Sequence, residues 1–85
     1  MIRITTQTEG QHTIVTIDGQ MTELDLKAIR QVRKSVAGAV VLNLRGLDAC
    51  AVGGIRLLRA WLAAGAKLQA ATPFMEMILQ ESSPP

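Results

Sequence analysis

The sequence predicts a small α/β domain in which helices pack on a mixed four-stranded sheet, in the order β-β-α-β-α-β-α. Short β-branched and apolar runs alternate along the chain with segments of helical periodicity, which is typical of parallel strands joined by crossover helices. The first two strands are close enough in sequence to form an antiparallel hairpin, so the sheet is expected to be mixed. With 85 residues, the chain has room for one domain, predicted at 1–81, with a disordered tail at 82–85.

The first two strands follow from alternation and β-branching. Ile2 and Ile4 alternate with polar residues as far as Glu9-Gly10, which indicates a strand and a turn. Residues 13–17 are all β-branched and are followed by Asp18-Gly19, a strong turn signal. We therefore expect the second strand to end before residue 18.

The first helix is predicted after Thr22, a residue that caps helices well. Its apolar period runs through Leu26, Ile29 and Val36, with Lys27, Arg30 and Lys34 on the opposite face. These three cations are most simply the solvated side of an amphipathic helix. Ala37-Gly38 is expected to close the element.

The second half of the chain predicts two strands and two helices. Residues 39–44 are almost continuously apolar, as in a central strand covered on both faces. A helix is expected from 55 to 64, with Gly65 as its stop, and a fourth strand at 67–71. Thr72-Pro73 then begins a last helix, with Phe74, Met77 and Ile78 on one side.

Composition and charge narrow the function classes. The net charge of +2 and only two aromatic residues, Trp61 and Phe74, argue against a nucleic-acid partner. The single cysteine, Cys50, excludes an internal disulfide and fits a reducing compartment. No run approaches the about 18 apolar residues that a membrane span needs, so we expect a cytoplasmic protein that does not insert into the membrane.

The residues that could carry chemistry are isolated from one another. His12 is the only histidine and is expected in an exposed turn. Cys50 precedes a helix that could activate it, but its alanine neighbours favour a small buried residue. Asp48 has no second carboxylate nearby and fits a turn cap better than an acid or base. We therefore predict no catalytic residue, cofactor or metal; whether Trp61 belongs to the core or to an interface is left open.

The stretch from Leu47 to Ile55, LDACAVGGI, is predicted to be a loop that opens onto a helix. Its two glycines do not complete a phosphate-binding motif. The helix start at Gly54 could attract an anion weakly, with Arg45 and Arg56 on either side, although such arginines are more often solvated.

The order of elements and residues 40–68 together resemble a STAS domain, the fold of bacterial anti-sigma factor antagonists. The resembling segments are Val40–Asp48, the loop, and Gly54–Leu68, with residues 16–21 similar to the family's entry to its first helix. The family's usual last strand and helix have no counterpart after Gln80. From that difference we expect an edge of the sheet to need cover or a partner.

The resemblance implies a non-enzymatic module that binds other proteins. In the antagonist branch a serine in an Asp-Ser-Ser-Gly loop is phosphorylated as a partner switch. Ala51, Val52, Gly53 and Gly54 stand at these four positions, and only Gly54 matches. Because Val52 has no hydroxyl, the resemblance implies binding without this phosphorylation.

We expect the partner to dock on two neighbouring parts of this region. They are the loop (Ala51, Val52, Gly53 and Gly54) and the outer face of the next helix (Arg56, Arg59 and Ala60). The first candidate partner is an anti-sigma factor or kinase-like protein. The alternative is the ATPase of a lipid-type ABC transporter, whose STAS subunit also carries a Gly-Gly in this loop, and a second copy of the chain is a further candidate.

Overall fold

The computed structural model describes residues 2–36 and 38–80, and it confirms the predicted mixed α/β fold. The predicted tail at 82–85 and the closing residue Ala37 lie outside the described residues. The elements in chain order are β1 (Ile2–Glu9), β2 (His12–Met21), one turn of 3₁₀ helix (Glu23–Asp25), α1 (Leu26–Ser35), β3 (Ala39–Leu44), β4 (Leu47–Cys50), α2 (Val52–Ala63), β5 (Lys67–Ala71) and α3 (Pro73–Gln80).

The five described strands form one mixed sheet. Four of them lie side by side in the order β1-β2-β3-β5, and the fifth, β4, pairs with β2. β1 and β2 are the predicted antiparallel hairpin, whereas β3 runs parallel to β2 and β5 runs parallel to β3. β4 was not predicted; it pairs in parallel with the last residues of β2. The predicted end of β2 at Asp18-Gly19 is wrong, because the strand continues to Met21 with a register shift after Gly19.

The hydrophobic core lies on one side of the sheet. Val15, Ile17 and Met21 on β2 face it, together with Val40, Leu42 and Leu44 on β3. All three helices add buried residues to the same cluster: Leu26, Ile29, Leu58, Trp61, Met75 and Leu79. The prediction that β3 is covered on both faces is therefore wrong. Its alternate residues Val41 and Asn43 are only half-buried, because the helices pack against the opposite side.

The helix α1 has the predicted solvent face, whereas the predicted outer face of α2 is wrong at Arg59, which is half-buried. Lys27, Arg30 and Lys34 are exposed on α1. α2 ends just before Gly65, where the Ala66 N–H donates to the carbonyl of Trp61 at 3.0 Å and closes the last turn. Trp61 is buried and belongs to the core.

The last helix, α3, begins at Pro73 as predicted. The Met75 N–H donates to the Thr72 hydroxyl at 3.2 Å, which caps the helix start. The side that carries Phe74 and Met77 points outward, however, with these residues 58% and 62% exposed, while Met75 is buried.

Candidate functional site

The predicted loop between β3 and the second helix does not exist as a loop. Residues 47–50 form β4, and α2 begins at Val52, three residues earlier than expected. Ala51 alone joins them: its N–H donates to the Met21 carbonyl at 2.9 Å, and its own carbonyl accepts from the N–H groups of Gly54 and Ile55 at 2.9 and 3.1 Å. Val52, Gly53 and Gly54 therefore form the first turn of α2.

Gly54 is buried where this first turn lies on the end of β2. A Cβ atom at this position would overlap the Sδ of Met21 and lie 2.7 Å from the Sγ of Cys50. Only a residue without a side chain allows so close an approach. The requirement for glycine here is therefore explained by packing inside the domain.

Gly53 receives a hydrogen-bond partner from the 3₁₀ turn. Its N–H donates to Oε2 of Glu23 at 2.9 Å. A carboxylate at this end of a helix satisfies a free backbone N–H and opposes the positive end of the helix dipole. The chain's own side chain thus occupies the position that an external anion would take, which argues against an anion site at the start of α2.

The thiol of Cys50 is half-buried and packs against Met21, with 3.5 Å between Sγ and Sδ. Burial raises the pKa of Cys50 to about 11, and the charge of Glu23 adds to the effect. Because the thiolate is the nucleophile, this cysteine is poorly reactive near neutral pH. The structure supports the interpretation of Cys50 as a packing residue.

His12 lies at the start of β2, whereas β4, the strand of Asp48 and Cys50, pairs with the last residues of β2. His12 is the first residue of β2 and is half-buried opposite Glu9, so the expected exposed turn position is wrong. Asp48 is exposed on β4, and the turn at Arg45-Gly46 is closed by Asn43, whose Oδ1 accepts the Arg45 N–H at 3.2 Å. Residues 2–36 and 38–80 contain no group of three histidine, cysteine or acidic side chains that could hold a metal.

The predicted partner-binding face of α2 divides into two parts. Arg56 and Ala60 are exposed in line with Val52, one turn apart along the helix. Arg59 lies on the side toward α3, half-buried, and its Nη2 and Nε donate to the Ile78 carbonyl at 2.6 and 3.2 Å. This arginine joins two helices of the domain.

Leu24 is a surface residue that the sequence analysis missed. It lies in the 3₁₀ turn and is 91% exposed, and Val52 on the adjoining start of α2 is 63% exposed. The Glu23–Gly53 hydrogen bond connects the segments that carry them. The sequence signal was present, because Leu24 does not fit the apolar period of Leu26 and Ile29. We call Leu24, Val52, Arg56 and Ala60 the docking face.

The 3₁₀ turn that carries Leu24 is fixed by its own capping residues. The N–H and the hydroxyl of Thr22 both donate to Oδ2 of Asp25, at 2.8 and 3.1 Å. The bond from the Thr22 backbone lowers the pKa of Asp25, so this carboxylate is charged at neutral pH.

No protein-family model matches this sequence, and comparison with the curated proteins and with the solved structures finds no significant match. Among the described residues, none of the helices has the length and apolar character needed to cross a bilayer.

Proposed function

We propose that this protein is a non-enzymatic, protein-binding regulatory module whose partner docks on Leu24, Val52, Arg56 and Ala60. The observation that carries the proposal is the exposure of two large aliphatic side chains, Leu24 and Val52, on adjoining segments. Single exposed apolar residues are ordinary on protein surfaces, whereas contiguous apolar patches rimmed by polar residues are typical of interaction sites. We propose that Leu24 and Val52 form the apolar part of such a site. Arg56 supplies a charge one helical turn from Val52.

The rigidity of the docking face supports the same function. The start of α2 is fixed by the Glu23–Gly53 bond and by the close approach of Gly54 to Met21. The 3₁₀ turn is fixed by Asp25. A preorganised surface loses little conformational entropy on binding, so a small apolar contact can give useful affinity.

We propose further that the module acts as an anti-sigma factor antagonist does, through contact with a regulatory protein in the bacterial cytoplasm, and without phosphorylation of the docking face. Val52 offers no hydroxyl to a kinase. A cytoplasmic setting also suits a chain whose one cysteine is free.

Site-specific cross-linking in cells tests this proposal. A photo-reactive amino acid replaces Val52 in one variant and the exposed Ala28 of α1 in a control variant, and cross-linked proteins are identified by mass spectrometry. We expect a defined protein to be captured from position 52 only. A kinase-like anti-sigma factor would support the regulatory role, whereas an ABC-transporter ATPase would replace it with the transporter role.

The affinity of the captured protein then tests the face itself. Val52→Asp and Leu24→Asp each place a charge in a dry contact, so we expect at least about tenfold weaker binding, near 1.4 kcal/mol. Ala28→Asp should bind as the wild type does. Equal affinity for all three variants would remove Leu24 and Val52 from the interface.

A further inference from the structure

The long edge strand β1 has an open side along its whole length. Its eight residues, Ile2–Glu9, pair with β2 without a register shift, and β2 is its one neighbour among the described strands. Edge strands are normally protected by proline, charged side chains, bulges or short length. β1 has no proline, no lysine and no register shift with β2, and its isoleucine and threonine residues favour strands. Its two charged residues, Arg3 and Glu9, have opposite signs.

The other edge strands, β4 and β5, are less suited to pairing. β4 has four residues, and its register with β2 shifts. β5 has five residues, carries Lys67 at its start, and its register with β3 shifts between Leu42 and Asn43. α3 also packs against β5. Of the three described edge strands, β1 presents the longest regular ladder.

The hairpin geometry decides which backbone groups of β1 face the open side. Gly10-Gln11 is a two-residue turn, so the flanking residues Glu9 and His12 form a hydrogen-bonded pair. The N–H and C=O groups of the odd-numbered residues of β1 therefore point to β2. Those of Ile4, Thr6 and Thr8 point away from β2, toward the open edge.

We propose that two copies of this chain pair antiparallel through β1, with Thr6 opposite Thr6 on the two-fold axis. In an antiparallel pair, the backbone N–H and C=O groups of two opposed residues either both point toward the partner strand or both point away from it. Because these groups alternate along β1, opposed residues must both have even numbers or both have odd numbers. The two-fold axis therefore passes through a residue of β1. Centring on Thr5 or on Thr6 gives the longest overlap. Only centring on Thr6 places Arg3 opposite Glu9 of the second copy, and symmetry forms this pair twice.

This register gives favourable side-chain pairs on both faces of the extended sheet. Arg3 and Glu9 are exposed and lie on the same face of β1. Asp18 on β2 lies on the other side of Arg3, so the arginine would stand between two carboxylates. On the opposite face Ile4, which is half-buried, would pack beside Thr8. About six new backbone hydrogen bonds would join the copies.

Charge exchange tests the register. We expect the wild type to form dimers by sedimentation equilibrium, and Arg3→Glu and Glu9→Arg each to be monomeric, because each places like charges opposite one another twice. An equimolar mixture of the two variants should form a heterodimer, detected by native mass spectrometry, because every facing pair is then oppositely charged. Circular dichroism checks that each variant is folded.

A backbone variant tests the edge independently of charge. Thr6→Pro removes an outward N–H without removing a β1–β2 hydrogen bond, so we expect a folded monomer. Thr5→Pro removes an N–H from the β1–β2 ladder and should destabilise the domain itself. A wild type that is monomeric at its highest soluble concentration, or a dimer that survives Thr6→Pro and both charge variants, would overturn the proposal.

Discussion

Replacing Gly54 with alanine measures how closely the first turn of α2 packs on β2. The added methyl group would overlap Sδ of Met21 and lie 2.7 Å from Sγ of Cys50. Met21 is only 2% exposed, so its sulfur has no route into solvent. Overpacking of this kind costs about 1–3 kcal/mol, and the better helix propensity of alanine returns up to about 1 kcal/mol. We expect the free energy of unfolding to fall by about 1–2 kcal/mol.

Urea denaturation followed by circular dichroism measures this loss, and the melting temperature should fall by about 4–8 °C per kcal/mol. Gly53→Ala is the matched control. Its methyl group would lie 2.5 Å from Oε1 of Glu23, the far end of an exposed side chain that can move aside, and 2.8 Å from Cδ1 of the buried Leu26. We therefore expect a loss no larger than for Gly54→Ala, whose methyl group would overlap the buried sulfur of Met21.

A double-mutant cycle separates the contact with sulfur from a general effect of alanine. In Met21→Val the sulfur is absent, so Gly54→Ala should cost at least about 0.5 kcal/mol less than it does in the wild type. If Gly54→Ala stabilises the protein, or costs the same in both backgrounds, Met21 does not impose the glycine. The packing explanation would then be refuted.

Three further predictions concern single contacts. Glu23→Gln removes the charge at the start of α2 and should lower the free energy of unfolding by about 0.5–1 kcal/mol in urea denaturation at low salt. Arg59→Met removes both hydrogen bonds to Ile78 and should cost about 1–2 kcal/mol, with faster amide exchange in α3, whereas Arg56→Met, an exposed control, should stay within about 0.5 kcal/mol of the wild type. The pKa of Cys50 is raised from 9.0 to about 11 in the folded state. The protonated thiol therefore contributes to stability fully below pH 9.0, and this contribution is lost as the pH rises through about 11. In Cys50→Ala the free energy of unfolding should fall less steeply over this interval. Stability that rises or stays level between these pH values in the wild type would contradict the last prediction.

The strands β3 and β5 show what the sequence could predict. Both have the predicted bounds, 39–44 and 67–71. The first is an almost uninterrupted apolar run, and the second begins shortly after the glycine that follows α2. In these segments local preference and tertiary packing favour the same structure.

The start of α2 shows what the sequence could not predict. Two successive glycines disfavour a helix, so the local preference placed its beginning at Ile55. Tertiary contacts decide otherwise, because the approach to Met21 and the carboxylate of Glu23 stabilise a helix from Val52. Neither contact is visible from local sequence, since Glu23 is thirty residues away from Gly53.

The faces of α3 illustrate a different limit. Five apolar residues, Phe74, Met75, Met77, Ile78 and Leu79, are spread over more than half of the circumference of an eight-residue helix. Periodicity therefore cannot indicate which side is buried. The choice of Met75 and Leu79 depends on where α2 and β5 leave room, which is a property of the assembled fold.

The carboxylate of Glu23 also determines how the docking face responds to negative charge. An acidic residue in the first turn of a helix normally stabilises it by about 0.3–1 kcal/mol. At residue 52 a new carboxylate would stand beside the Gly53 N–H that Glu23 already occupies at 2.9 Å. We therefore expect Val52→Glu to be neutral or destabilising in the wild type and stabilising in Glu23→Gln.

Urea denaturation of the four proteins in this cycle, at low and high salt, measures the coupling, with Val52→Gln as the uncharged control. The coupling should shrink at high salt, because screening weakens the repulsion between the two carboxylates. If Val52→Glu stabilises both backgrounds equally, Glu23 does not oppose charge at this position. If the coupling is found, the chain's own carboxylate at Glu23 repels negative charge at residue 52, which would support the proposal that a partner docks here without phosphorylation.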